Sequence, residues 1–184
     1  MSGILVRLLS WTLVSAVTVA GLAEASANTG PLGDDEYIVL NAVLTHVWGD
    51  ALGPILISDR TESACLTEAK AASVRKDLED DNPLASFPDD LFAAFSQICD
   101  SNLRIDPARL NFYKATLLPP SELKHREDGI RLTLSRVAFS ADRTKALLVM
   151  TDSYYSYESQ CLVVQRIGGA WRIVARATVD FVVS

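Results

Sequence analysis

Apolar residues in the first half of the chain recur every three to four positions, whereas in the last third they alternate. The sequence therefore predicts helices first and strands afterwards. Tyr37, Leu40, Leu44, Val47 and Trp48 form one stripe at helical spacing. Asp34, Asp35 and Glu36 place negative charge in the first turn of that helix, where it complements the dipole, and Gly49 ends it. Pro54 to Ser58 is a short apolar run between turn residues and reads as a strand. Thr61 to Glu79, rich in Ala, Lys and Glu, reads as a second helix. Asp77, Glu79, Asp80 and Asp81 with Asn82-Pro83 read as a solvated acidic loop, which lacks the alternating oxygen ligands and central glycine of an EF-hand. Ser86 and Asp89 have capping-box spacing ahead of a helix whose buried face is Leu91, Phe92, Phe95, Ile98 and Cys99.

Lys114 to Leu118 is a candidate strand stopped by Pro119-Pro120, with a short helix from Ser121 to about Arg126. Beyond Ile130 the period becomes two. Ile130, Leu132 and Leu134 alternate, then Val137 and Phe139 alternate on the other parity, so a β-bulge is expected at Ser135-Arg136. Lys145 to Thr151 and Gln160 to Ile167 are further strands, and Gly168-Gly169 is a two-residue hairpin signal. In the last strand Trp171, Ile173, Ala175, Ala177, Val179, Phe181 and Val183 share a face, with Arg172, Arg176 and Asp180 on the other. The expected fold class is α+β, with N-terminal helices packed on one face of a C-terminal antiparallel meander of about four strands.

The N-terminal segment changes this picture by setting a compartment. Arg7 is followed by an uncharged run from Leu8 to Leu22 and then by the small residues Ala23, Ala25 and Ala27. Residues 1–27 thus have the three parts of a cleaved signal peptide, with cleavage after Ala25 or Ala27 and a single domain over 28–184. The alternative, a retained anchor, would need about 20 apolar residues. No cysteine directly follows the apolar run to accept a lipid. The expected location is periplasmic or extracellular.

The chain carries a net charge of −6, and loss of Arg7 and Glu24 with the leader leaves it unchanged. An acidic domain without clustered Lys and Arg is a poor partner for nucleic acid or an anionic membrane surface. Cys65, Cys99 and Cys161 are the cysteines. In an oxidising compartment Cys65 pairs with Cys99, both in the helical half; the alternative is three buried thiols acting as small hydrophobes. Without a Cys-x-x-Cys, and with only His46 and His125, the sequence points to no metal site or cofactor. His46 falls opposite the apolar stripe of its helix, and His125 lies among charged residues with no nearby nucleophile.

The segments Leu134 to Ser140 and Thr144 to Val149, together with Gly168-Gly169 and Trp171, resemble the C-terminal signature of a widespread group of uncharacterised secreted bacterial proteins. Leu117 to Leu123 and Ile55 to Thr61 resemble that group in order and spacing, so the resemblance spans roughly Tyr37 to Val174. It implies the fold and the export route and supplies no mechanism. Members of the group often carry a Cys- and Gly-rich tip between the second and third strands of the meander. This chain has Asp152 to Ser159 there instead.

Two functional classes follow. Tyr154, Tyr155 and Tyr157 crowd a polar loop, and tyrosine offers contact area at low entropic cost, which suggests a binding module for another envelope or secreted protein. The same rings would also suit a strand that merely extends the sheet. The alternative class is a carboxylate-based hydrolase with an acidic cleft. Asp59 and Glu62, just after a strand, are the first carboxylates to consider, although both also suit a helix start.

Overall fold

The computed structural model describes residues 31–85, 87–153 and 158–179. The predicted leader, Ser86, the three tyrosines and the end of the last strand lie outside these residues. In chain order the elements are α1 (Asp34–Trp48), β1 (Ile55–Ser58), α2 (Glu68–Asp81), α3 (Asp89–Ile98), β2 (Ala115–Leu118), α4 (Pro120–Leu123), β3 (Ile130–Leu134), β4 (Ala138–Phe139), β5 (Lys145–Asp152), β6 (Glu158–Ile167) and β7 (Ala170–Thr178).

Helices and sheet make the fold α+β, but the sheet is larger than the expected meander. It has seven strands in the order β2-β1-β3-β5-β6-β7, with β4 also pairing β5. The strands β3, β5, β6 and β7 are the antiparallel meander. At its β3 edge, β1 pairs in parallel with both β3 and β2. Parallel neighbours are joined by distant crossovers rather than turns, so no local signal announces them.

Helices cover both faces of the sheet, which corrects the single-face arrangement. On one side Leu40, Val43 and Leu44 of α1 share a core with Ile57, Leu132, Leu148 and Leu162. Each fully buried Val or Leu of this kind contributes about 1.5–3 kcal/mol. On the other side Leu78 of α2 and Leu91 and Phe95 of α3 share a core with Leu147, Val149, Cys161, Val163 and Ala175. The near-continuous burial of Ala146 to Met150 follows, because both parities meet a helix layer.

Two register changes make this possible. Between β3 and β4 the pairing against β5 moves by one residue, and Ser135 and Arg136 occupy the interruption. A second irregularity places Val163 opposite Ala175 but Val164 opposite Ile173. The extra residue there, Val174, splits the predicted single face of the last strand. Trp171 and Ile173 pack on the α1 core, while Ala175 and Ala177 belong to the α2–α3 core.

Arg136 and Glu36 form an ion pair at 2.8 Å, with side chains only 2% and 5% exposed. Glu36 Oε1 also accepts from Val137 N at 3.2 Å, and Oε2 accepts from Gly33 N at 2.9 Å. The Glu36 carboxylate thus fastens the start of α1 to the bulge.

The second helix begins later than predicted, at Glu68, because Thr67 is its N-cap and its hydroxyl accepts from Lys70 N. It also continues through the acidic stretch to Asp81. There Asp81 Oδ2 accepts from Arg176 N and Asn82 Nδ2 donates to Val174 O, so α2 occupies the outer edge of β7. The N-cap of α3 is Pro88, and Asp89 pairs with Arg75 rather than closing a capping box.

Candidate functional site

After β1 the chain is irregular from Thr61 to Thr67, where the sequence predicts the start of the second helix. It is held there by a series of bonds: Glu62 N donates to Leu134 O at 2.8 Å, and Ala64 N donates to Cys99 O at 2.9 Å. The fully buried Thr61 hydroxyl donates to Ser101 O and accepts from Leu103 N, both at 2.8 Å. Ser63 Oγ donates to Asp100 at 2.9 Å, and a Cys65–Cys99 disulfide completes the attachment. This strap forms one wall of a groove of about 660 Å³, within the usual size of small-molecule sites.

The floor of the groove is the sheet itself. Thr133 of β3 lies opposite Thr151 of β5, which lies opposite Ser159 of β6, so three hydroxyl residues are in register across three strands. They share the face of Val149, the face that α2 and α3 cover farther along. No lining residue among those described comes from α2 or α3. Apolar surface comes from Val149, Val179, Ala64 and, on α4, Pro120 and Leu123. Lys124, at the C-terminal end of α4, also lines it, as do Arg131 and Asp152.

The hydroxyl protons are partly committed. Thr133 Oγ1 donates to Glu62 Oε2, and Thr151 and Ser159 share one hydrogen bond at 2.8 Å. Ser135 Oγ donates to Arg136 O and accepts from Val149 N, each at 2.8 Å. Toward the groove this leaves lone pairs on Thr133 and Glu62 and one proton of the Thr151–Ser159 pair. The hydroxyl floor is rich in acceptors, with one donor, and Lys124 and Arg131 add donors in the lining. A second, more open hollow of about 560 Å³ adjoins the groove and shares Arg131 and Ser153 with it.

Of the predicted site residues, Glu62 lines the groove and Asp59 does not. Asp59 Oδ1 is buried with no hydrogen-bond partner, and the Glu62 carboxylate is bonded to Thr133. His46 and His125 are exposed, and neither lines the groove. Tyr154, Tyr155 and Tyr157 are outside the described residues, but Ser153 and Ser159, on either side of them in sequence, both line it. Cys161 is a buried free thiol whose pKa is pushed up to about 12 by burial, which makes it a poor nucleophile.

Thr133, Thr151 and Ser159 were not singled out in the sequence. Thr133 occupies the polar parity of an alternating strand, which reads as solvent-facing until the pairing of three strands is known. No family model, curated protein or solved structure matches the chain.

Proposed function

We propose that this chain is an exported binding domain and that the groove is its ligand site. The observation that carries the proposal is the in-register Thr133–Thr151–Ser159 floor, with the carboxylates of Glu62 and Asp152 in its lining and apolar walls around it. A few fixed polar groups in an apolar concavity are what orient a ligand. The leader and the resemblance to secreted bacterial proteins support export, and the Cys65–Cys99 disulfide is compatible with an oxidising compartment. Tyr154, Tyr155 and Tyr157 belong to the same proposal as ligand or partner contacts, on the strength of their residue type and crowding in the sequence. Asp59 lies outside the groove, whose carboxylates are Glu62 and Asp152, so the carboxylate-based alternative would rest on that pair and not on Asp59.

The test is a fragment screen read by amide chemical shifts of the labelled protein. Amphipathic fragments are expected to shift Thr133, Val149, Thr151 and Ser159 together. Thr151→Val with Ser159→Ala should abolish those shifts with little loss of stability, because both members of a hydrogen-bonded pair leave together. Shifts that cluster elsewhere and ignore the double substitution would reject the groove.

A further inference from the structure

The strap that walls the groove is pinned on both sides. Before it, the buried Thr61 hydroxyl is bonded to Ser101 O and Leu103 N. After it, the Cys65–Cys99 disulfide ties the chain to the C-terminal end of α3. Glu62, Ser63 and Ala64, which line the groove, lie between these two attachments. Glu62 N is bonded to the sheet at Leu134 O, whereas Ser63 and Ala64 make their bonds to Asp100 and Cys99, beside the disulfide. The far half of the wall therefore leans on the sulfur bridge.

The bridge is open to solvent from one side. Cys65 is an exposed residue, while Cys99 is 4% exposed within the core that α2 and α3 share with the sheet. A thiolate thus reaches the bond from the Cys65 side. The elements around the strap have anchors of their own. Leu78 holds α2 in the core, and Asp81 and Asn82 bond it to β7. The α1 core lies on the opposite face of the sheet and includes neither cysteine. Opening the bridge should therefore free the strap and little else.

We infer that Cys65 is a thiol–disulfide exchange site, through which a dithiol reductant loosens the groove wall while the domain stays folded. A thiolate of the dithiol attacks Cys65 Sγ, and the Cys65–Cys99 bond breaks with its electron pair going to Cys99 Sγ, which takes up a proton. The second sulfur of the dithiol then displaces Cys65 Sγ, which is protonated in turn. The dithiol leaves as a disulfide, oxidised by two electrons, and the protein gains two thiols. The exchange chemistry is independent of what the groove holds. Its consequence for binding, a wall that answers to the surrounding thiol–disulfide balance, rests on the groove being the ligand site.

The test uses the unaltered chain and needs no ligand, so a silent fragment screen would count against the ligand site alone. Folded protein is treated with dithiothreitol, quenched with iodoacetamide and mapped by peptide mass. The buried free thiol of Cys161 serves as an internal reporter of global unfolding. Label is expected on Cys65 and not on Cys161, and the reduction rate should be the same in water and in low urea, because local attack exposes little surface. In the reduced protein the Ala64 amide should exchange about tenfold faster or more, while the amides of Leu40 and Leu44 in α1 keep their protection. Simultaneous labelling of Cys161, or a reduction rate that climbs with urea in step with unfolding, overturns the exchange site. Unchanged exchange at Ala64 after reduction overturns its hold on the wall.

Discussion

On the α1 side of the sheet, apolar side chains from β1, β3, β5 and β6 meet a helix, and the charged pair Glu36–Arg136 is sealed inside with its hydrogen bonds made. On the opposite side, helices α2 and α3 cover Leu147, Val163 and Ala175 but contribute nothing to the groove where Thr133, Thr151 and Ser159 lie. The same strands thus serve a finished core and an open floor. The difference teaches where stability and recognition sit in this fold. Glu36 and Arg136 on the α1 side hold elements together, and the hydroxyls on the groove side have capacity left over.

The sharpest way to break this comparison is to attack the sealed pair. Glu36→Leu leaves Arg136 buried with that counter-charge removed and should cost about 3–5 kcal/mol, read from the urea midpoint at constant m. Glu36→Leu with Arg136→Met should cost clearly less than the sum of the single changes. An additive result would mean that the pair does not act as a unit. Next comes the strap. Cys65→Ser with Cys99→Ser opens a closure between cysteines 34 residues apart, for which chain entropy gives a loss of about 3–4 kcal/mol. Faster hydrogen exchange at Glu62 and Ala64 should accompany it, with little change in α1.

A smaller effect depends on pH. Burial raises the Cys161 pKa to about 12, so the folded protein keeps a proton that the unfolded chain releases above about pH 8.5. Stability conferred by the neutral thiol is present below that pH and declines as pH rises toward 12. The stability difference between the unaltered protein and Cys161→Ala should therefore shrink above pH 8.5, by up to about 1.4 kcal/mol per pH unit. A constant difference would mean that the thiol is not shielded. The smallest expected effect on stability is that of the Thr151→Val and Ser159→Ala pair, which is the signature of a floor built for something other than folding.

Periodicity made much of the architecture legible. The α1 stripe, the meander strands and the interruption at Ser135-Arg136 all follow from spacing, because these are local preferences. Parallel pairing of β1 was not legible, since its partners Ala115 and Ile130 lie 60 and 75 residues away. Nor was the change of face at Val174, where one inserted residue undoes an otherwise unbroken alternation. The candidate site was visible only through Glu62. Its hydroxyl partners are ordinary strand residues in sequence and become a site only when three strands are set side by side.

The position of β1 also has a consequence for the order of events as the chain is made. This strand is inserted between β2 and β3, both formed from residues that follow it by more than half the length of the described chain up to that point. Helix α1 likewise rests on Leu132, Leu148 and Leu162. Until those residues have left the ribosome, the N-terminal half lacks the meander it packs on, and its contacts are paid for by closing long loops. Folding should therefore be late and cooperative rather than sequential, which keeps the nascent chain threadable for most of its synthesis.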